Sequence, residues 1–325
     1  MQKTVLTSLA LLSIAAVAQV RSIVPLVEMA ALSGNIATAQ ALLDAYHKTA
    51  GATPEYIEAL SWIGRAQLKQ HNFAAADKNA NEVRTLALQQ LTHRSLDAEP
   101  HLPTALGASI EVEAQSAAQA GRRDEAVVFL RDEVKHWQAT SIAARLQKNL
   151  NLLTLEGKPA PALDEAQWIG ARRPQPLTAY HGHPVLLFLW AHWCSDCKAE
   201  IQIVEKLQSV YGPKGLVVVA PTQHYGYVAG GVDAPPAVET KYIADVYAHY
   251  YAGLGAVDIP LSEENFRRYG VSTTPTMVLL DRNGIVRLYN PGSATYELLA
   301  SKIDSTLAGA GPAVSPAAST ISQAR

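Results

Sequence analysis

Apolar residues follow different spacings in the two halves of this chain. From about Arg21 to Glu156 they recur at helical intervals among many Ala, Leu, Gln and Glu residues, with few strand-like runs. Beyond residue 184, short apolar runs alternate with longer amphipathic stretches, which is typical of an α/β sheet. The pattern therefore predicts an all-helical domain over residues 21–156, followed by an α/β domain over residues 157–307.

Three similar breaks interrupt the helical half. They are centred on Gly34, Asn72 and Gly121, and each resembles the turn inside a tetratricopeptide hairpin. The intervals between corresponding alanines are irregular, whereas a true tetratricopeptide array has a fixed period of about 34 residues. A tetratricopeptide-like set of hairpins and a plain helical bundle with short turns therefore both fit this half.

The second half contains a boundary segment and a series of predicted elements. Glycines and prolines interrupt regular structure from Gly157 to Pro184. The predicted strands then cover residues 185–190, 216–220, 257–260, 276–280 and 285–289, and the predicted helices cover residues 195–211, 238–251, 262–269 and 295–307. Because Asn283-Gly284 favours a tight hairpin turn, the last two strands are expected to be antiparallel.

The two ends of the chain have compositions of their own. Residues 1–18 combine Lys3, an apolar stretch and small residues at Ala16 and Ala18, which predicts a secretory signal peptide and an exported, periplasmic or extracytoplasmic protein. The alternative for this segment is a first amphipathic helix or an uncleaved anchor. Residues 308–325 are small and flexible and are predicted to be disordered. With 17% charged residues and a net charge of -2, the composition does not suggest a nucleic-acid partner.

The candidate chemistry lies at Cys194 and Cys197, the two cysteines among 325 residues. Such a pair can be a redox dithiol, half of a metal site or a small structural disulfide. A bridge across two intervening residues would remove little loop entropy from the unfolded chain, so a structural role is disfavoured. His181 and His183 lack further ligands at suitable spacing, and we predict no metal site.

A predicted helix beginning near Cys194 distinguishes the two sulfurs. The first helical turn presents unpaired backbone N–H groups and the positive end of the helix dipole, which favour a thiolate at Cys194. Cys194 is therefore predicted to be the nucleophile. Cys197 lies one turn further along and faces the core, so it is predicted to resolve the mixed disulfide.

The order of the motifs resembles a known family. The segment from Val185 to Lys198, with its W-C-x-x-C motif, and the later segment Thr273-Thr274-Pro275-Thr276 resemble thioredoxin-like proteins, most closely the TlpA/ResA group of exported thiol-disulfide oxidoreductases. The resemblance covers about residues 157–307 and implies a thioredoxin-like α/β domain with a central helix–strand insertion. The helical half lies outside it.

The resemblance also implies site residues and partners. Cys194 and Cys197 would be catalytic, while Trp193, Thr274 and Pro275 would bind substrate, with a cis peptide bond before the proline. The expected partners are protein thiols and disulfides and a membrane-bound electron donor, and the helical half is a candidate surface for a protein partner. No cofactor is expected beyond the redox-active disulfide itself.

Several residues depart from the family pattern and are candidates for tuning the site. Asp196 replaces a proline that many relatives carry, and its charge opposes a thiolate, although its place in the first helical turn partly offsets this. Phe188 stands where thioredoxin has a buried carboxylate that accepts a proton. His192 and Ser195 are further tuning candidates, with an exposed, uninvolved loop histidine as the alternative for His192.

One further segment departs from the family pattern. Residues 223–231 are rich in aromatics and glycine, and they form either a rim that binds a partner or a mobile loop with core-packed tyrosines.

We predict an exported oxidoreductase that reduces protein disulfides, because motif order and the N-terminal segment agree. An oxidase or isomerase would use the same residues. A thiol peroxidase of the peroxiredoxin type is the second class, although such enzymes have a T-x-x-C context and this chain has Ala191 at that position. A non-enzymatic interaction protein built on the helical half is the third.

Overall fold

A computed structural model describes residues 22–308 of the chain. The predicted signal peptide at residues 1–18 and all but the first residue of the predicted disordered tail lie outside the described residues. Within residues 22–308, no helix is both long enough and apolar enough to cross a membrane.

The first part of the described chain is helical, as predicted. Its helices are α1 (Val24–Leu32), α2 (Ile36–Ala50), α3 (Pro54–Lys69), α4 (Phe73–Gln90), α5 (His101–Gln119), α6 (Arg123–His136) and α7 (Ala143–Thr154). Local capping explains several starts: the Asn35 and Thr53 side chains accept the N–H groups of Thr38 and Tyr56, and Pro54 fills the first turn of α3.

The three predicted breaks lie inside helical hairpins, between α1 and α2, between α3 and α4, and between α5 and α6. Gly34 and Gly121 both have a φ of 86°, which glycine adopts without strain. Gly64 of α3 allows a close approach to α4, because a Cβ there would lie 2.5 Å from Asn79 Oδ1. The helical character is confirmed, while the tetratricopeptide-like arrangement stays a prediction.

The second part is an α/β unit. Its strands are β1 (Trp168–Ile169), β2 (Val185–Leu189), β3 (Val217–Val219), β4 (Ile259–Pro260), β5 (Thr276–Leu280) and β6 (Val286–Pro291), and its helices are α8 (Ser195–Tyr211), α9 (Pro236–Tyr250), α10 (Glu263–Tyr269) and α11 (Tyr296–Leu307). The main sheet has the order β3-β2-β5-β6, and β2 is parallel to β3 and antiparallel to β5. β5 and β6 form the predicted antiparallel hairpin.

The sheet separates two apolar layers. Alternate residues of β2, such as Leu186 and Phe188, face a core that includes side chains of α8, α9 and α11. Val185, Leu187 and Leu189 face the other core, which includes Phe266 and Tyr269 of α10. The fold class predicted from the sequence, a helical region followed by a thioredoxin-like α/β unit with a helix and strand inserted between β3 and β5, is confirmed.

The predicted boundary segment contains regular structure that the sequence pattern did not reveal. β1 pairs with β4, and Pro159 forms an antiparallel bridge with Ile285. Leu155, just after α7, lies in the same core as α10. The division at residues 156 and 157 stays a prediction, since side chains on both sides of it share one core.

Candidate functional site

The two cysteines lie where β2 ends and α8 begins. Cys194 is the N-cap residue of α8 and Cys197 lies in its first turn. Both are free thiols; Cys194 is 3% exposed and Cys197 is 0% exposed. The strand therefore delivers the cysteines to the N-terminus of a helix, as the sequence predicted.

Backbone groups from two segments contact Cys194 Sγ. The Cys197 N–H donates to the sulfur at 3.0 Å, and the Cys194 thiol donates to the Thr274 carbonyl oxygen at 3.4 Å. The Thr274–Pro275 peptide bond is cis, which confirms that expectation. The structure thus brings Cys194, Cys197, Thr274 and Pro275 together, although 80 residues separate Cys194 from Thr274 in sequence.

The surroundings of the two sulfurs have opposite effects on their acidity. Hydrogen bonding by the Cys197 thiol, with smaller contributions from the Thr274 side chain and the Cys197 N–H, lowers the pKa of Cys194 to about 6, although burial and the Asp196 charge act against this. Burial, followed by the hydrogen bond and charge of Cys194, raises the pKa of Cys197 far above its usual value. At neutral pH the thiolate is therefore on Cys194.

Glu200 is a buried carboxyl near the dithiol that sequence reasoning missed. It is 6% exposed, and its Oε1 accepts the Ala294 N–H at 2.6 Å while its Oε2 has no partner among the described residues. Burial raises the pKa of Glu200 to about 7, and the charges of Asp196 and Cys194 add to this effect. The available signal was an acidic residue three positions after Cys197, next to the apolar stripe that begins at Ile201.

Trp193 is the exposed member of the site. Its side chain is 48% exposed, whereas Trp190 on the same loop is fully buried and donates from Nε1 to the Ala220 carbonyl. The Trp193 ring meets Tyr225 edge-on, with ring centroids 5.4 Å apart. Trp193 thus presents an apolar surface beside Cys194, with Tyr225 behind it.

His192 is buried, so the alternative of an exposed loop histidine is wrong. It is 1% exposed, and its Nε2 lies 3.2 Å from Glu239 Oε1 of α9. Burial lowers the pKa of His192, while the hydrogen bond and charge of Glu239 act in the opposite direction. No contact between His192 and either sulfur occurs among the described hydrogen bonds.

Glu239 joins the inserted helix to the aromatic loop. It is 0% exposed and accepts the N–H groups of Tyr225 at 2.6 Å and Gly226 at 2.9 Å as well as the His192 contact. The rings of Tyr225, Tyr227 and Tyr242 surround the imidazole edge-on, at 5.3 to 5.5 Å between centroids. Tyrosines of residues 223–231 are therefore packed around His192, while Ala229–Gly231 at the loop tip is exposed.

The remaining predicted residues lie at the edge of the site. Ser195 and Asp196 are exposed in the first turn of α8, and Phe188 is fully buried in the sheet. Within residues 22–308, no cluster of three or more His, Cys, Asp or Glu residues has the geometry of a metal site.

A dithiol at a helix N-terminus, in contact with the residue before a cis-proline and carried by a mixed sheet, defines a thioredoxin-like redox domain. Residues 155–305 match the family model described as Redoxin.

Individual proteins also match part of the chain. The chain is 27% identical over 133 residues to the thiol-disulfide oxidoreductase ResA of Geobacillus thermodenitrificans, which covers 41% of this chain and 68% of that protein. It is 29% identical over 149 residues to the thioredoxin-like protein YneN of Bacillus subtilis, covering 46% of this chain and 79% of that protein. A candidate thiol:disulfide interchange protein DsbE from Chlorobium tepidum is 28% identical, with a TM-score of 0.36 and coverage of 47% of this chain and 97% of that one.

Proposed function

We propose that this protein is an exported thiol-disulfide oxidoreductase that reduces protein disulfides. The observation that carries the proposal is the asymmetry of the dithiol: Cys194 Sγ accepts a backbone N–H at the start of α8, whereas Cys197 is fully buried behind it. A thiolate at the entrance and a protonated thiol behind it are what stepwise disulfide exchange requires.

The proposed reaction has two exchanges. The Cys194 thiolate attacks one sulfur of a substrate disulfide, forming a mixed disulfide and releasing the first substrate thiolate. Cys197 then loses its proton and attacks Cys194 Sγ, which releases the second substrate thiolate and leaves a Cys194–Cys197 disulfide. The substrate gains two electrons, and its two thiolates take up two protons. The enzyme loses two electrons and the Cys197 proton, and solvent supplies the second proton.

Glu200 is proposed to accept the proton in the second exchange, directly or through a water molecule. The buried Cys197 thiol holds its proton tightly, and Glu200, with a pKa of about 7, lies one helical turn from Cys197. Phe188 occupies the position of the carboxylate that thioredoxin has on its strand. In this chain a helix would supply the equivalent group.

Substrate is proposed to bind between Trp193 and the proline loop, residues 271–275. Trp193 offers exposed apolar area, and the backbone at Thr274 lies beside Cys194. An extended segment carrying a disulfide fits this arrangement, because strand-like backbone pairing and an aromatic surface recognise a polypeptide with little regard to its sequence.

The reductase function is tested by insulin reduction in the presence of dithiothreitol. The full chain should accelerate the reaction, Cys194→Ala should abolish the acceleration, and Cys197→Ala should accumulate a mixed disulfide that mass spectrometry detects. A wild-type protein that leaves insulin untouched but consumes hydrogen peroxide when reduced would instead support the peroxidase alternative.

Direction, donor and location need separate measurements. A potential close to that of thioredoxin in equilibrium with glutathione supports a reductase, and a much more oxidising one supports an oxidase. A reductase in an oxidising compartment needs a membrane-bound electron donor. A Cys197→Ala chain cannot form the Cys194–Cys197 disulfide, so it would not accept electrons from that donor in the normal cycle. Residues 1–18 fused to a reporter that is active only outside the cytoplasm test export.

A further inference from the structure

The last helix of the helical half, α7, packs against the end of α10 in the α/β half. Leu155, which follows α7 and is 7% exposed, belongs to the same apolar core as Phe266, Tyr269 and Val271. The helical half therefore contributes directly to the layer that covers one face of the sheet.

At Gly270 the two halves meet backbone to backbone. This residue ends α10 with a φ of 62°, and a Cβ added there would lie 2.3 Å from Lys148 N and 2.7 Å from Gln147 C. Side chains essentially never approach a backbone so closely. A residue larger than glycine would have to move either α7 or the segment that leaves α10.

Hydrogen bonds hold the same contact. Asn151 Nδ2 donates to the Arg268 carbonyl at 3.3 Å, and Gln147 Nε2 donates to Asn151 Oδ1 at 2.8 Å, which orients the amide. The Lys148 side chain of α7 lies 3.2 Å from Glu111 of α5. α7 is thus fixed to the rest of the helical half and to α10 at once.

The contact at Gly270 lies immediately before the proline loop. Val271 N–H donates to the Phe266 carbonyl at 2.7 Å, which closes the turn, and the chain then reaches Thr274, whose carbonyl accepts the Cys194 thiol at 3.4 Å. A displacement of the turn at Gly270 is therefore passed over a short segment to an atom in contact with Cys194.

We propose that α7 is a positioning element of the dithiol site: its contact with Gly270 and Arg268 sets the place of Thr274 against Cys194. The proposal gives the helical half a role in the redox chemistry, and it rests on the proposed function only for the significance of Cys194. Loosening the contact should displace Thr274 and weaken its side-chain hydrogen bond to Cys194. Because that side-chain bond lowers the pKa of Cys194, the pKa should rise.

The first test compares two buried asparagines of α7 in the full chain. Asn151→Ala removes the bond to α10, whereas Asn149→Ala removes bonds to Glu111 and Gln115 inside the helical half. Iodoacetamide alkylation of reduced Cys194 is followed against pH. Asn151→Ala should slow alkylation below the midpoint by about threefold, equivalent to about half a pKa unit, and Asn149→Ala should leave the midpoint unchanged.

The second test separates contact from backbone strain. Gly270→Ala introduces the clash with α7, while Gly255→Ala places a side chain at a similar φ of 64° with no atom within 4 Å of the new Cβ. Gly270→Ala should raise the alkylation midpoint and Gly255→Ala should not. If Gly270→Ala fails to fold, the asparagine pair decides the question.

Two results would overturn the proposal: an unchanged midpoint in Asn151→Ala, or an equal shift in Asn149→Ala. Alkylation needs no disulfide substrate, so its outcome is independent of insulin reduction. A wild-type chain without reductase activity would contradict the proposed function, and the midpoints would still report whether α7 positions the loop.

Discussion

Cys194 and Cys197 lie three residues apart in different surroundings. Cys194 receives hydrogen bonds at a helix start, and Cys197 is enclosed by the core, so one sulfur is acidic while the other keeps its proton. The charge nearest to them in sequence, Asp196, opposes the thiolate. Acidity at this site is therefore a balance in which single side chains have measurable effects.

Asp196→Asn is expected to lower the pKa of Cys194 by about half a unit or less, because it removes a negative charge that is exposed to solvent. The pH dependence of iodoacetamide alkylation measures this change. Ser195→Ala is the matched control, since Ser195 is equally exposed in the same turn but uncharged. A midpoint that rises or stays fixed in Asp196→Asn would contradict the electrostatic account.

Glu200 should make stability depend on pH. Its pKa is raised from 4.5 to about 7, so the folded state binds this proton more tightly than the unfolded state. The resulting stabilisation is fully present below pH 4.5 and is lost as the pH rises through about 7. Glu200→Gln should remove a fall of about 3 kcal/mol in the free energy of unfolding over this range.

Urea unfolding at several pH values measures that fall. Glu297→Gln is the control, because Glu297 is an exposed glutamate of α11 and its replacement should leave the pH dependence intact. A Glu200→Gln protein that loses stability over the same pH range as the wild type would contradict the assignment.

The sequence predicted the order of attack at the dithiol but missed the buried carboxyl. A W-C-x-x-C motif after an apolar strand indicates a helix N-terminus through local chemistry alone. Glu200 looks like any polar residue of an amphipathic helix, and its hydrogen bond to Ala294, 94 residues away, leaves no local sign in the sequence. Burial of that kind depends on contacts between distant segments, which a helical period does not reveal.

At the scale of elements, α9 contacts the loop between β2 and α8, which contains His192 and Cys194. Its Glu239 carboxylate accepts N–H groups from Tyr225 and Gly226 and lies within hydrogen-bond distance of His192, two residues before Cys194. An insertion between two strands of the sheet thereby contacts both the aromatic loop and the dithiol loop.

Glu239→Gln should destabilise the protein by about 1–3 kcal/mol, because an amide NH₂ would face backbone donors that need an acceptor. Asp245→Asn on the same helix is the control: its exposed pair with Lys241 should change stability by less than about 0.5 kcal/mol. Urea denaturation provides both values. Equal effects of the two substitutions would show that the buried carboxylate has no special part.

Elements with strong local signals were predicted well, and short ones were not. The bounds of α8 and β5 agree with the sequence prediction, since a capping residue and a continuous apolar run mark them. β1 has two residues, and pairing with β4 rather than its own sequence defines it. Residues 223–231 show the same limit of local sequence patterns. Their sequence fits both an exposed rim and inward-packed tyrosines, and only the contacts of Tyr225 and Tyr227 with His192 distinguish the two.

At the scale of the whole molecule, the helical half and the sheet share a core. Leu155 and the contact of α7 with Gly270 connect the two parts where a flexible linker would otherwise be expected from the glycines and prolines of the boundary segment. The sequence indicated two domains by composition, but it contained no local sign of this packing.

The two halves should unfold together. Because the end of α7 lies in the core beside α10, loss of the helical half exposes apolar area of the α/β half. The circular dichroism signal of the helices and the protection of Cys197 from alkylation should therefore disappear at the same urea concentration. Separate midpoints for the two probes would show that the shared core does not couple them.

The low exposure of Cys194, 3%, also limits what can react with it. Its sulfur is buried beside the proline loop and adjoins the exposed Trp193 in sequence, so in the proposed reaction a rigid, recessed disulfide of a folded protein would collide with the protein before the sulfurs met. A disulfide on a protruding loop, or in a polypeptide that has not finished folding, can enter. In the proposed reaction the site would thus select substrates by how accessible their disulfides are, and much less by the side chains that surround those disulfides.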